Sequence, residues 1–330
     1  MNDSDFNSKL SVVIVAWNSA GEIRECLASL ASVSADLEIV VVDNASSDET
    51  VGIVRAAFPR VRIIEIGDNS GFAAACNVGA KDTNSDLVLF LNPDTIANRD
   101  ALESAVFEIE SDRTIGLISV AIDDELGDRQ RICYRFPTLG NALLDGLGLY
   151  RFVSESRRPG LLLGDFFDNL SSRDVDWVYG AFMLVRRSAL ESVAGVPEDF
   201  FLFGEDTDLC YQLKRKGFRI RFSADVSIVH KSNRSAGQLP SGWRIERTTL
   251  TKYAFAFKNF GGLRTRSIQI VDLAANIIST ADQSFRSRSE SRLDELRRYR
   301  KVIVRSLLMS RERLLLTIRR PPIDSDSDPI

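Results

Sequence analysis

The 330 residues carry 27% charged and 44% apolar side chains with a net charge of −4, the profile of an ordinary globular chain with no overall field suited to nucleic acid. Four cysteines, Cys26, Cys76, Cys133 and Cys210, lie scattered without CxxC spacing, which indicates neither a zinc site nor a disulfide framework and fits a reducing cytosol. The first nine residues are polar and acidic, unlike a secretory leader, and no apolar run approaches the ~18–20 residues needed to cross a bilayer, so a cytoplasmic protein is expected.

Residues 10–16 (LSVVIVA) form a β-branched run that stops at Trp17-Asn18-Ser19, and Ile23, Leu27 and Leu30 then fall at helical spacing, predicting a strand, a loop and a helix over 20–29. Residues 37–42 (LEIVVV) repeat the pattern, ending at Asp43 and the turn formers Asn44, Ser46 and Ser47 ahead of a helix over 50–58. A strand over 61–66, the loop Asp68-Asn69-Ser70-Gly71-Phe72, a helix over 73–81 and the apolar strand 87–91 follow. Strands alternating with helices at this spacing predict right-handed βαβ units in a parallel sheet. The strand 87–91 is continuously apolar, as strands buried on both faces are, and it delivers Asn92-Pro93-Asp94 to the sheet edge where ligands gather.

Beyond Asp94 a helix over 99–111 and a strand over 115–121 are predicted, while 123–169 mixes charges, glycines and short apolar runs without a readable element. Residues 175–185 read as strand, turn and strand around Tyr179-Gly180, and a helix over 206–216 opens on acids, the polarity that suits a helix dipole. A strand over 226–229 leads to His230, the only histidine. Helices over 243–260 and 266–280 precede an arginine-rich helical stretch over 289–320, and across 264–320 fourteen Lys and Arg stand against six Asp and Glu. The last ten residues are rich in Pro, Asp and Ser and are expected to be disordered. The reading is an α/β fold over 1–240, with a mostly parallel central sheet flanked by helices, then a basic helical extension over 241–320 and a tail over 321–330.

A parallel sheet places its strand ends along one edge, so Asn18, Asp43, Asn69 and Asp94 line one crevice. No GxGxxG follows the first strand and no Walker A motif is present, so neither nucleotide fingerprint applies. Trp17 at one strand end and Asp43 at the next suit a single nucleobase, one stacking and the other accepting from a base N–H.

The segments VVIVAWNSAGEI, VVVDNASSDET, DNSGFAAACNVGA, LFLNPDT, WVYGAFMLVRRSAL and FFLFGEDTDLCYQLKRKGFRI, in this order, resemble the family 2 inverting glycosyltransferases, most closely the rhamnosyltransferase-like branch, over roughly residues 10–235. The resemblance implies a GT-A fold in which a nucleoside-diphosphate sugar and a divalent cation, Mg2+ or Mn2+, bind at the switch point of the sheet. It implies a donor site of Trp17, Asn18, Asp43, Asn69, Gly71, Phe72, Asn77, Asn92 and Asp94, where Asp43 reads the base and 69–77 approaches ribose and sugar. Asn92-Pro93-Asp94 matches the family's acidic metal motif, with Asn92 where many members carry a first aspartate, which leaves Asp94 as the carboxylate ligand. His230 falls where relatives place a metal- or phosphate-contacting histidine, the other reading being a satisfied structural group.

Inversion needs a carboxylate that removes the acceptor's proton across the sugar from the metal, and Asp206 is the residue chosen. Glu205 is left to orient the acceptor and Asp208 to cap the helix. Trp177, Tyr179 and Gly180 make an acceptor-side wall, with core packing as the alternative. The implied donor is dTDP-rhamnose or a UDP-sugar, and the implied acceptor a glycan or lipid-linked glycan of cell-surface polysaccharide synthesis.

Leu293, Leu296, Val302, Val304, Leu307, Leu308 and Leu314, set among arginines, suit an interfacial helix on anionic lipid at the inner face of the cell membrane. A solvated helix or a subunit interface, as in a homodimer, is the alternative use of 289–320. Two other classes are weighed. A nucleotidylyltransferase needs a glycine-rich, basic first loop, which Trp17-Asn18-Ser19-Ala20-Gly21-Glu22 is not, and a non-catalytic nucleotide- or sugar-binding module would tolerate loss of Asp206.

Overall fold

In the computed structural model, which describes residues 9–231, 241–285 and 290–319, the apolar runs become a stack of parallel strands. The tail over 321–330 and nearly all of the polar first nine residues lie outside the described residues. Contacts divide the chain into two units. One holds residues 9–134, 167–198 and 205–231, and the other holds 135–166, 199–204, 241–285 and 290–319.

The first unit opens with β1 (Leu10–Ala16), α1 (Ile23–Val33), β2 (Glu38–Asp43), α2 (Thr50–Ala57), β3 (Arg62–Glu65), α3 (Phe72–Lys81) and β4 (Leu87–Leu91). β1 and β4 are buried along their whole length, as their unbroken apolar sequence requires. There follow β5 (Thr95–Ile96), α4 (Arg99–Ser111), β6 (Ile115–Asp123), β7 (Cys133–Tyr134), β8 (Arg173–Val175), β9 (Trp177–Val178), β10 (Phe182–Arg186), α5 (Arg187–Ser192), α6 (Glu205–Arg215) and β11 (Arg219–His230).

The main sheet runs β3-β2-β1-β4-β10-β6-β11-β5, with β8 also on β11, while β7 and β9 pair separately. Pairs among β1 to β4 are parallel and so is β6 with β11, whereas β10 lies antiparallel between β4 and β6. β9 and β10 are joined through Tyr179-Gly180 without an intervening helix. The chain passes from β1 outward to β3 and then returns to β1's other side as β4, so the switch point lies at the carboxyl ends of β1 and β4.

Some boundaries move. The first helix spans Ile23–Val33, three residues later at its start than 20–29 suggests. α6 begins at Glu205, so Asp208 sits inside its first turn, fully buried, and does not cap it.

The second unit is helical: α7 (Ser241–Phe260), α8 (Gly262–Phe285), α9 (Glu290–Leu307) and α10 (Arg311–Ile318), with short turns among 135–166. The continuous stretch expected over 289–320 breaks at Ser310, whose side chain accepts from the Arg313 N–H and caps α10. Of its seven named apolar residues only Val304 and Leu308 are exposed. Several of the arginines there are engaged within the unit: Arg300 Nε donates to Asn276 Oδ1 (3.1 Å), Arg305 pairs with Glu246 (2.8 Å) and Arg297 with Asp294 (2.9 Å). None of the described helices is long and apolar enough to cross a membrane.

Candidate active site

Every residue expected at the site belongs to the first unit, and there they fall into two groups. The first is built from the loops after β1, β2 and β3. Asn18 adopts a left-handed conformation (φ 48°), its N–H donates to Ser46 Oγ (3.0 Å) and its Oδ1 accepts from the Ser47 N–H (2.8 Å). Asp43, 4% exposed at the end of β2, accepts from the Ser46 N–H at 3.2 Å. Asn44 Nδ2 donates to Asn69 Oδ1 (2.9 Å), and Asn44 Oδ1 accepts from the Ser70 N–H (3.0 Å). Asn69 Oδ1 also takes the Gly71 N–H (3.1 Å), and Gly71, at φ 86°, turns the chain into α3 at the half-buried Phe72. Asn44, Ser46 and Ser47, read from sequence as turn formers only, are thus the ties that hold the strand-end loops together. Trp17 stands half-buried at the end of β1.

Asn77 belongs to neither group. Its Nδ2 donates to Val196 O (2.8 Å) and Glu198 Oε1 (2.7 Å) while its Oδ1 accepts from the Val196 N–H (2.8 Å), so its amide braces the 196–198 segment.

The second group gathers at the ends of β4, β9, β10 and β11 and the start of α6. The Asn92 N–H donates to Ala181 O (3.0 Å), which fastens the Tyr179-Gly180 turn beside the Asn92-Pro93-Asp94 corner. Pairing of β5 with β11 sets His230 opposite Thr95, and the Lys231 N–H closes on Asp94 O at 2.9 Å. His230 Nε2 therefore lies 3.2 Å from Asp94 Oδ1, both side chains being about 95% buried. Asp94 Oδ1 accepts no hydrogen bond, an orphaned buried acceptor that would be costly unless a cation faces it.

Gln130 orients this histidine, and sequence reading missed it. Its Nε2 donates to the backbone carbonyl of His230 (2.9 Å), which can only accept, so its Oε1, 3.2 Å from Nδ1, must receive the Nδ1–H. The Nε2 lone pair is then turned toward Asp94 unless the ring is doubly protonated. An oxygen and a nitrogen 3.2 Å apart are donor types that could hold one divalent cation together. Among the described residues no cluster of three or more His, Cys, Asp and Glu could hold a metal, so Asp94 and His230 would be its protein ligands.

Glu205 and Asp206, 6% and 7% exposed, open α6. Burial pushes the Asp206 carboxyl up to about 6, against hydrogen bonds from the N–H groups of Thr207 and Gly180 and the Thr207 hydroxyl that pull it down. Tyr179 ties the group together: burial first, then the charges of Asp206, Glu205, Tyr134 and Asp94, raise its hydroxyl pKa. Asp94 and Asp206 thus act on one phenol. Trp177 stacks on Tyr134 with ring centroids 4.7 Å apart, a partner that sequence reading missed. Two buried thiols border the site; Cys26 is pushed up to about 12 by burial and further by Asp94, and Cys76 well up by burial and Glu205. Neither is a nucleophile at neutral pH.

The arrangement sets an aromatic ring and a buried carboxylate at the ends of β1 and β2, a buried acceptor without a hydrogen bond just after β4, and a second buried carboxylate at the start of α6. The family described as glycosyl transferase family 2 matches residues 11–193, and glycosyltransferase-like family 2 matches 161–250. The low-salt glycan biosynthesis hexosyltransferase Agl10 of Haloferax volcanii is 25% identical over 240 residues, 72% of this chain and 71% of that protein. The rhamnosyltransferase WbbL of Escherichia coli is 26% identical over 249 residues, 72% of this chain and 90% of that protein. The N-acetylglucosaminyl-diphospho-decaprenol L-rhamnosyltransferase of Mycobacterium tuberculosis is also 26% identical, over 70% of this chain and 79% of its own. Among solved structures, a mannosyltransferase from Pyrobaculum calidifontis in complex with GDP-Man and Mn2+ superposes with a TM-score of 0.58 at 20% identity, covering 91% of this chain and 87% of its own, which shows a shared GT-A fold. With more than half of its length matched by one family model, this chain belongs to glycosyl transferase family 2.

Proposed function

We propose that this glycosyltransferase is cation-dependent and inverting, and that it moves a rhamnosyl group from a nucleoside diphosphate to a hydroxyl of a glycan or lipid-linked glycan. The observation that carries the reading is the pair of unlike carboxylates around Tyr179: Asp94 with an orphaned oxygen beside His230, and Asp206 with a pKa of about 6. The names of the two rhamnosyltransferase relatives support rhamnose, and the GDP-Man and Mn2+ of the mannosyltransferase support a nucleoside-diphosphate donor and a divalent ion.

Asp94 and His230 would hold the ion, which when bound supplies Lewis-acid stabilisation to the leaving diphosphate. Asp43 accepts from the base, with Trp17 stacked against it, and the Asn44–Asn69 tie keeps that cradle open. Tyr134 and Trp177 offer ring faces to the acceptor sugar. The acceptor oxygen bonds to the anomeric carbon as its proton passes to an Asp206 oxygen. The bond from that carbon to the phosphate oxygen breaks, and its electron pair leaves on the diphosphate. Attack from the side opposite the leaving group inverts the centre.

The test is release of nucleoside diphosphate from dTDP-rhamnose, UDP-sugars and GDP-sugars with Mn2+ or Mg2+ and a lipid-linked acceptor. Asp206→Asn should lower kcat by roughly 10²–10⁴ with donor KM little changed, and Asp94→Ala should weaken donor and Mn2+ binding together. Transfer by Asp206→Asn at the wild-type rate would remove Asp206 as the base.

A further inference from the structure

The helix α8 buries a row of polar side chains, beside the buried Ile268, and exposes a row of large apolar ones. Thr265, Gln269, Asp272 and Asn276 are buried on its inner face. They are satisfied there: Gln269 Nε2 donates to Ser306 Oγ (2.9 Å), Asp272 Oδ2 accepts from Lys252 Nζ (2.7 Å) and the Tyr253 hydroxyl (2.8 Å), and Asn276 Nδ2 donates to Leu296 O (2.9 Å). Its outer face is apolar. Leu263, Ile270 and Ile277, seven apart and so along one line of the helix, are 85%, 59% and 49% exposed, and Ile278 beside them is 59% exposed. A helix that meets only water has the reverse polarity. The feature is not scattered noise: ten of the thirteen exposed large apolar side chains among the described residues lie in this second unit.

Charge decides what covers the face. The described residues of the second unit carry 19 Lys and Arg against 11 Asp and Glu, a balance of +8 in a chain whose total is −4, which leaves −12 for the rest. Arg264 adjoins Leu263, and on α9 the exposed Lys301 lies one turn before the exposed Val304, while Arg305 beside it is paired with Glu246. Two copies set face to face would bring like charge together, whereas anionic headgroups are complementary to it. We propose that the outer face of α8 docks on an anionic lipid bilayer, the three isoleucines and Leu263 entering the headgroup boundary and the flanking cations holding the headgroups. This goes beyond the reading of the active site and stands whichever sugar is transferred.

Flotation of the full chain with vesicles of phosphatidylcholine, with and without phosphatidylglycerol, tests it. Wild type should float with the anionic vesicles, be released by high salt, and remain unbound by phosphatidylcholine alone. Ile270→Glu with Ile277→Glu should weaken that binding roughly tenfold per residue, about a hundredfold together, with donor hydrolysis unchanged. Should the double glutamate variant fail to fold, Ile270→Ser with Ile277→Ser is the milder pair. Wild-type flotation by a folded double variant would overturn the proposal, as would equal binding to both vesicle types. So would a solution dimer of the wild type, seen by light scattering, that the same pair splits into monomers.

Discussion

Burial raises the Asp206 carboxyl to about 6, from an ordinary value of 3.8. A base must be ionised to act, so kcat/KM should rise with pH, reach half its plateau near 6 and be flat above about 7. Stability runs the other way. A carboxyl whose folded pKa is raised contributes stability that is complete below the unfolded value and is lost as pH rises through the folded one. Asp206→Asn, which cannot ionise, should therefore stabilise the protein at pH 8 by about 1–3 kcal/mol and hardly at all at pH 3. Melts at the two pH values check this, and unchanged stability at pH 8 would show that burial of this charge costs nothing. Gln130 yields a separate expectation. Gln130→Leu should weaken Mn2+ binding about 10–100-fold, and the 15N spectrum of the lone histidine should lose its Nδ1–H tautomer, while Gln130→Glu, which keeps an acceptor, should retain it. Wild-type Mn2+ affinity and tautomer in Gln130→Leu would reduce Gln130 to packing. Asp94, Asp206 and His230 could be singled out in the sequence because each lies at or close to the end of an element within a recognisable motif. Gln130 was not, since it sits in the patternless 123–169 stretch and meets His230 across 100 residues of sequence.

At the scale of elements, α3 follows the Asn69-Ser70-Gly71 loop and lies directly on the sheet. A Cβ on Gly79 would come within 2.4 Å of Val13 Cγ1 and 2.9 Å of Val42 Cγ2, so the glycine lets the helix approach β1 and β2. Gly79→Ala should cost about 1–3 kcal/mol by overpacking, read by urea denaturation, and should also weaken donor binding, because the Asn69-Ser70-Gly71 loop is the entry to that helix. Native stability in this variant would mean the sheet yields at little cost. The strands β1 to β4 and the helices α3, α4 and α6 were readable to within about two residues, since apolar periodicity and cap signals are local. The antiparallel insertion of β10 between β4 and β6 was not. Its residues alternate no differently from those of a parallel strand, and only the pairing partners distinguish the two. The break of 289–320 at Ser310 escaped because arginine and leucine continue through it, and a single serine cap is a weak signal against them.

For the whole molecule, ligand binding to the folded state alone should raise its stability: Mn2+ with the correct nucleoside diphosphate at 100 times its Kd should add about 2.7 kcal/mol. A thermal-shift series of dTDP, UDP and GDP, each with Mn2+, ranks the bases, and no shift with any of them would count against the nucleotide cradle at Trp17 and Asp43. The division of charge is also a property of the whole: a net of −4 conceals a unit of +8, which the total could not disclose though the arginine-rich 264–320 stretch hinted at it. Local pattern determined the α/β class and the order of strands and helices over the first unit, because periodicity and motif order depend on neighbours a few residues apart. Tertiary structure alone decided which face of α8 is wet, that Gln130 sets the proton on His230, and that Asp206 titrates near 6. Those properties depend on burial and on partners distant in sequence, and both exist only once the chain has packed.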